Sequence, residues 1–281
     1  MDKLVWLKEK HVLYFVLLLI IIQQFLTKGI LIVLSYLGIN IKGTNFDYMW
    51  SETIILVVAV FLTYVTKQTH VLRCGFKGFW KSLWSGMVFF LLAVPGCVLF
   101  ATMATEEGAT YKALPEILAF VLFVLLVGLA EEIFFRGILA DAILKRFGNS
   151  VSGVVISVVL SGVVFGLAHI LNILSGQSLE ESIVQVVATS MLGILLSAIY
   201  IRHRNAYAVA LLHTVLDFMT MFSSGFFQGE SIGDVATDID FWASLKQALI
   251  SQSIFIIVAL WVLRPKVLRK IVNHLNQEKI S

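Results

Sequence analysis

The chain has 281 residues, of which 59% are hydrophobic and only 14% charged, with a mean hydropathy of +0.91 and a formal net charge of +3. Soluble domains hold nearer half apolar and a quarter charged residues, so composition excludes a soluble globular protein and points to an all-α, polytopic membrane protein. The charge is too small and too dispersed for a nucleic-acid partner, and two cysteines, Cys74 and Cys97, supply neither a disulfide framework nor a C-x-x-C metal site.

A helix needs about 20 apolar residues to cross a bilayer. About eight runs qualify: His11 to Leu37, Thr53 to Thr66, Phe79 to Met103, Leu114 to Leu139, Val151 to Leu174, Ile183 to Ile201, Ala206 to Phe222 and Leu245 to Leu263. The first is interrupted by Gln23-Gln24 and Lys28, so it tilts or stops near Lys28. It lacks a small-residue cleavage site and reads as a retained helix, not a removed export signal. The longest polar segment, Ser223 to Phe241, is no domain, and residues 1–281 read as a single transmembrane domain.

Loop charges give the orientation. Lys3, Lys8 and Lys10, then Lys67, Arg73, Lys77 and Lys81, then Lys145 and Arg146, then Arg202 and Arg204, then Arg264, Lys266, Arg269, Lys270 and Lys279 fall on alternate loops. The intervening loops carry only Lys42 and Lys112, with Asp47, Glu52, Glu106, Glu107, Glu180, Glu181, Glu230, Asp234, Asp238 and Asp240. Sixteen basic residues against two place both termini in the cytoplasm. Asp141, four residues before Lys145, reads as part of a solvated or interfacial helix face.

Three spans carry ionisable side chains where a lipid-embedded helix should have none, and such residues usually mark a site. They are Glu131-Glu132 with Arg136 in the fourth span, Phe165 with His169 in the fifth, and His213 with Asp217 in the seventh. Residues four apart share a helix face, so Glu132 can pair with Arg136 while Glu131 looks elsewhere. The economical arrangement is a polar, water-containing cavity between helices four, five and seven. A carboxylate and an imidazole around one water form a general base able to hydrolyse an amide, and a second imidazole can stabilise the oxyanion. The same atoms also suit a divalent metal, with Glu131, His169 and His213 as ligands and zinc as the candidate ion. Gly153, Gly162 and Gly166 read as a helix-packing face.

Glu-Glu-x-x-x-Arg, Phe-x-x-x-His and His-x-x-x-Asp, in this order on separate spans, resemble the three motifs of the CPBP family, the CAAX prenyl proteases and bacteriocin-processing proteins also called Abi. The resemblance covers a core of about residues 114–222. It implies an intramembrane endopeptidase of about eight spans, of glutamate or metallo type. Carried over by motif, Glu131 and His169 would activate the water and His213 and Asp217 would stabilise the oxyanion, with Glu132, Arg136 and Phe165 in support. The prenyl-protease branch usually has Asn at the last position. Asp217 donates a hydrogen bond only when protonated, so it either carries a proton, orients His213 or belongs to a metal site.

Motifs of other intramembrane proteases are absent: there is no Gly-x-Ser-Gly, no Gly-x-Gly-Asp and no His-Glu-x-x-His. Two other classes compete. A proton-coupled transporter could use the same residues as a relay, with a helix broken near Pro95, though no inverted repeat is evident. A non-catalytic immunity or scaffold protein would not need the catalytic set. The expected partners are membrane lipid and a peptide or membrane-protein substrate, in CAAX-type, bacteriocin or pheromone processing or in self-immunity, and the short loops suit a bacterial plasma membrane. Straight helices leave Glu131 and His169 deeper than His213, so a break is expected near Gly128 or Gly166.

Overall fold

The computed structural model describes residues 3–38, 43–229 and 240–278, and among these every regular element is a helix. The α-helices are α1 (Lys3–Lys10), α2 (Val12–Tyr36), α3 (Asn45–Val65), α4 (Phe79–Ser85), α5 (Met87–Glu106), α6 (Leu114–Glu132), α7 (Asp141–Phe147), α8 (Val151–Ala168), α9 (Leu179–His203), α10 (Ala206–Thr220), α11 (Phe222–Phe226), α12 (Phe241–Val262) and α13 (Pro265–Glu278). Two 3-10 segments, Thr69–Arg73 and His169–Ser175, and a π-helix, Ile133–Ala140, complete the set. Seven helical stretches are long and apolar enough to cross a membrane, and the eighth expected run is the shorter apolar α10, of 15 residues. The protein is an all-α integral membrane protein.

Several boundaries differ from the sequence reading. The first run is one continuous helix, α2, through Gln23, Gln24 and Lys28. The second begins at Asn45, because Thr44 and Asp47 form a capping box that starts the helix before the apolar run does. Asp47 and Glu52 are therefore helical residues of α3 and not loop charges. The third run is divided at Gly86 into α4 and α5, and α5 continues unbroken through Pro95. Lys42, Glu230, Asp234, Asp238 and Lys279, used above for orientation, lie outside the described residues.

Two compact units emerge: residues 1–17, 135–205 and 235–281 form the first, and residues 18–134 and 206–234 the second. In the first, α8 packs along α9, and α9 along α12. The α8–α9 approach depends on glycine: a Cβ at Gly162 would lie 2.5 Å from the Ile194 amide nitrogen, and one at Gly166 2.5 Å from Val186 O. Small residues set helix separation in lipid, where apolar burial cannot. Asp141 is fully buried and salt-bridged to both Lys145 and Arg204, which corrects its reading as a solvated face. A buried carboxylate needs such pairing to remain charged, and here it fastens α7 to the end of α9.

In the second unit α6 packs against α3 and α10, and α10 also against α5. Phe120, Phe123 and Val124 form the core, with Tyr48, Met49, Val127, Phe218, Met221 and Phe226 around them. Asn45 Nδ2 donates to Glu116 O and to Gly225 O, both at 3.0 Å, pinning the start of α3 to α6 and α11. Gly128 permits the crossing of α10: a Cβ there would meet Thr214 Oγ1 at 2.4 Å and Ala210 O at 2.6 Å.

Candidate active site

In the second unit three acidic side chains converge on one imidazole. His213, on α10, is buried and its Nδ1 lies 2.9 Å from Glu132 Oε1 at the last residue of α6. A carboxylate only accepts, so an ionised Glu132 fixes the hydrogen on Nδ1. The opposite nitrogen, Nε2, stands 3.8 Å from Glu131 Oε2 and 3.5 Å from Asp217 Oδ2, one turn along α10. The side chains differ in access: Glu132 is 0% exposed, Asp217 13% and Glu131 27%. The adjacent glutamates thus reach opposite nitrogens of the same ring. Glu132 is sealed in and orients the histidine, whereas Glu131 remains open to approach.

Local structure produces this. Gly128, three residues before Glu131, brings α10 against α6, and Thr214 Oγ1 donates to Val124 O at 3.3 Å. Immediately beyond Glu132 the α-helix gives way to the π-helix Ile133–Ala140. π-Helical turns are rare and concentrate at functional sites.

In the first unit, Arg136 is fully buried, donates from a terminal guanidinium nitrogen to Gly193 O at 3.4 Å and stacks 4.3 Å from the Phe165 ring centroid. Phe165 is buried between Phe135 and His169, with both ring centroids 5.0 Å away. His169 is the point at which α8 ends and 3-10 geometry begins, and its Nδ1 lies 3.0 Å from Phe165 O. The breaks in these helices fall at Ile133 and His169; Gly128 and Gly166, where the sequence suggested them, are close-approach positions inside continuous helices.

Sequence reasoning missed Glu52. It lies one turn beyond Tyr48, whose ring packs 5.7 Å from that of Phe123 on α6, in the neighbourhood of Glu131 and Asp217. Its carboxylate has no hydrogen bond or ion pair among the described residues. The signal that could have found it was the capping box at Thr44 and Asp47, which puts Glu52 inside the helix.

Residues 113–219 match the family model described as "Type II CAAX prenyl endopeptidase Rce1-like". That segment resembles the Rce1-like domain of the CPBP family. That domain contains Glu131, Glu132, Arg136, Phe165, His169, His213 and Asp217, and excludes Glu52. It supports an intramembrane endopeptidase acting on peptide or protein in a membrane. The search of curated proteins gives no match, nor does that of solved structures.

Among the described residues no three His, Cys, Asp or Glu side chains group so as to hold a metal ion. No step below passes through a metal.

Proposed function

We propose that this protein hydrolyses a peptide bond of a membrane-associated peptide or protein with a water activated by Glu131 and His169. The observation that carries this reading is the division of labour around His213: a sealed Glu132 holds the ring at Nδ1, and an accessible Glu131 faces the opposite nitrogen, inside a segment that matches an endopeptidase family. Glu131 takes a proton from the water as its oxygen attacks the scissile carbonyl, and His169, with Nδ1 directed at Phe165 O, has Nε2 left to accept. The carbonyl becomes a tetrahedral oxyanion. Glu131 then returns the proton to the departing amine as the C–N bond breaks, so it serves first as base and then as acid.

His213 is the oxyanion donor in this scheme. With Nδ1–H committed to Glu132, Nε2 carries a hydrogen only in the imidazolium form, and the carboxylates of Glu131, Glu132 and Asp217 make that form a paired cation and not an isolated one. Asp217, beside Nε2, positions the ring. Donors preorganised toward a developing oxyanion in a site of low polarity contribute strongly to catalysis.

The alternating basic loops support cytoplasmic termini, and we assign the protein to a bacterial plasma membrane. CAAX-type processing, bacteriocin or pheromone maturation and self-immunity are the roles that the family resemblance offers.

The test is to purify the protein in detergent and compare wild type with Glu131→Ala and His169→Ala on a library of membrane-associated peptides, with and without chelator. Cleavage lost in both variants is the expected result, with the wild-type rate unaffected by chelator. Cleavage that survives either substitution overturns the active site, and cleavage abolished by chelator overturns the metal-free scheme.

A further inference from the structure

One end of the first unit holds two arginines without an acidic partner. There α9 and α12, packed along each other, both finish, α9 at His203 and α12 at Val262. The last carbonyls of a helix have no partner within it, and arginine side chains take two of them. Arg202 donates from Nη1 to Val262 O at 3.0 Å, and Arg264 donates from Nη1 to Trp261 O at 3.3 Å. The Arg264 guanidinium also lies 5.3 Å from the centroid of the Trp261 ring. The two guanidinium groups therefore sit on consecutive carbonyls of one helix end, in each other's neighbourhood.

Capping accounts for part of each fork and leaves the rest. A guanidinium is a planar array of donors that keeps its charge, and two such cations held side by side repel unless an anion lies between them. Close by, the chain supplies the anion itself: Arg204, two residues beyond Arg202, is salt-bridged to the buried Asp141. Among the described residues, no carboxylate lies within ion-pair distance of Arg202 or Arg264. The flanking sequence adds positive charge, since Pro265 opens α13 directly after Arg264 and the exposed residues of that helix include Lys266, Arg269 and Lys270.

The depth is that of lipid headgroups. Trp261 is 51% exposed at the end of a helix long and apolar enough to cross a membrane, and tryptophan in that place marks the membrane interface. Next to it, α13 buries Leu268 and packs against α8 while its lysines and Arg269 stay exposed, the pattern of a helix lying in the interface plane. The anion available at that depth is lipid phosphate, whose oxygens match arginine forks in pairs. A phosphatidylcholine headgroup brings its own cation beside the phosphate, which these basic surroundings repel. A headgroup of net negative charge meets no such penalty.

We propose that Arg202 and Arg264 form a binding site for the phosphate of an anionic phospholipid, whose headgroup bridges the two guanidinium groups and joins the ends of α9 and α12. Each arginine keeps its carbonyl, so both forks are held in place before the lipid arrives. The site does not depend on the reaction the protein performs, and it stands or falls separately from the peptidase reading.

The experiment takes the full-length protein, delipidated in an uncharged detergent, and adds phosphatidylglycerol, phosphatidylcholine or inorganic phosphate. Native mass spectrometry reads the bound lipid and thermal unfolding the stability. Wild type should retain phosphatidylglycerol in preference to phosphatidylcholine and gain in Tm with phosphatidylglycerol alone. Arg202→Gln with Arg264→Gln keeps an amide donor for each carbonyl but removes both charges. It should bind phosphatidylglycerol at least about tenfold more weakly, as loss of a charge-assisted hydrogen bond implies, and lose the gain in Tm. Lys266→Gln with Arg269→Gln and Lys270→Gln removes three charges from α13 and should weaken binding less. If the paired arginine variant does not fold, Arg264→Gln alone, at an exposed residue, carries the same reading.

Unchanged retention of phosphatidylglycerol by the arginine variant overturns the proposal and leaves Arg202 and Arg264 as helix caps alone. An equal or larger loss in the α13 variant also overturns it, because the attraction is then diffuse. Equal retention of phosphatidylcholine by wild type removes the requirement for an anionic headgroup, and a Tm gain reproduced by inorganic phosphate makes the ligand a soluble anion; either result overturns the lipid assignment.

Discussion

The two histidines of the proposed site are oriented by opposite means. In the second unit, His213 gives Nδ1 to a fully buried carboxylate, Glu132, contributed by another helix. In the first, His169 gives Nδ1 to the carbonyl of Phe165, one turn earlier on its own chain. Each arrangement fixes a tautomer, but only the carboxylate also supplies charge. A carboxylate partner stabilises a ring that becomes cationic, as an oxyanion donor must; a neutral carbonyl suits a ring that works as an acceptor beside a general base. The contrast agrees with the roles proposed for the two rings, His213 toward the oxyanion and His169 toward the water.

The largest effect should come from the groups that handle the proton. Replacement of Glu131 by Gln keeps shape and hydrogen-bonding capacity but removes the base, and replacement of His169 by Gln removes the basic imidazole. Either should lower kcat by about 10³-fold, within the range attributed to positioned proton transfer, while binding of an anchored peptide, measured by fluorescence anisotropy, is retained. Equal loss of binding would mean that these residues hold substrate.

Next in size are the changes to the partner of His213. Glu132→Ala leaves a buried imidazole without its acceptor, and Glu132→Gln preserves an acceptor without the charge. Losses of about 10- to 100-fold in kcat are expected for residues that orient a functional histidine, with Gln recovering orientation only. Should Glu132→Gln match wild type, the charge is irrelevant, and the distinction between the two rings reduces to geometry.

The glycine crossings test the scaffolds of the two regions separately. Gly128→Ala would place a methyl group 2.6 Å from Ala210 O in the second unit, and Gly166→Ala one 2.5 Å from Val186 O in the first. Backbone cannot yield as a side-chain tip does, so each should destabilise its region by about 1–3 kcal/mol, as overpacking does. Thermal unfolding in detergent reads this as a lowered Tm. An unchanged Tm in either variant would show that its helix pair separates without cost.

Much of this was legible in the sequence because lipid imposes strong rules. Apolar runs located the spanning helices, and three polar interruptions located the candidate site residues, since a charge in a spanning helix is conspicuous. What escaped detection had local causes that hydropathy does not report. Glu52 was counted with the loop because the apolar run begins at Thr53, yet the helix is started eight residues earlier by the Thr44–Asp47 capping box. The π-helix after Glu132 has no proline or glycine signature at its start, and a change from 3.6 residues per turn leaves no mark in a stretch that is apolar but for Arg136. Adjacent positions pointed Glu131 and Glu132 in different directions; that both address His213, from opposite sides of the ring, depends on where α10 crosses, and Gly128 reveals that only once its neighbours are known.

The smallest effect is expected at the residue that departs from the prenyl-protease pattern. Asp217 lies 3.5 Å from His213 Nε2, at the outer limit of hydrogen bonding, and it is less buried than Glu132. A contact of that length contributes less than about 1 kcal/mol, so Asp217→Asn should alter kcat by no more than about fivefold, given that 1.36 kcal/mol corresponds to a factor of ten. The direction is informative. The Asn amide can donate to an oxyanion, which Asp217 cannot do while ionised, so an increase assigns the position to the oxyanion side. A decrease assigns it to the imidazolium that Glu132 already supports. A fall as deep as that of Glu132→Ala would place the dominant counter-charge on Asp217, and the contrast between a sealed orienting carboxylate and two accessible ones would have to be redrawn around Nε2.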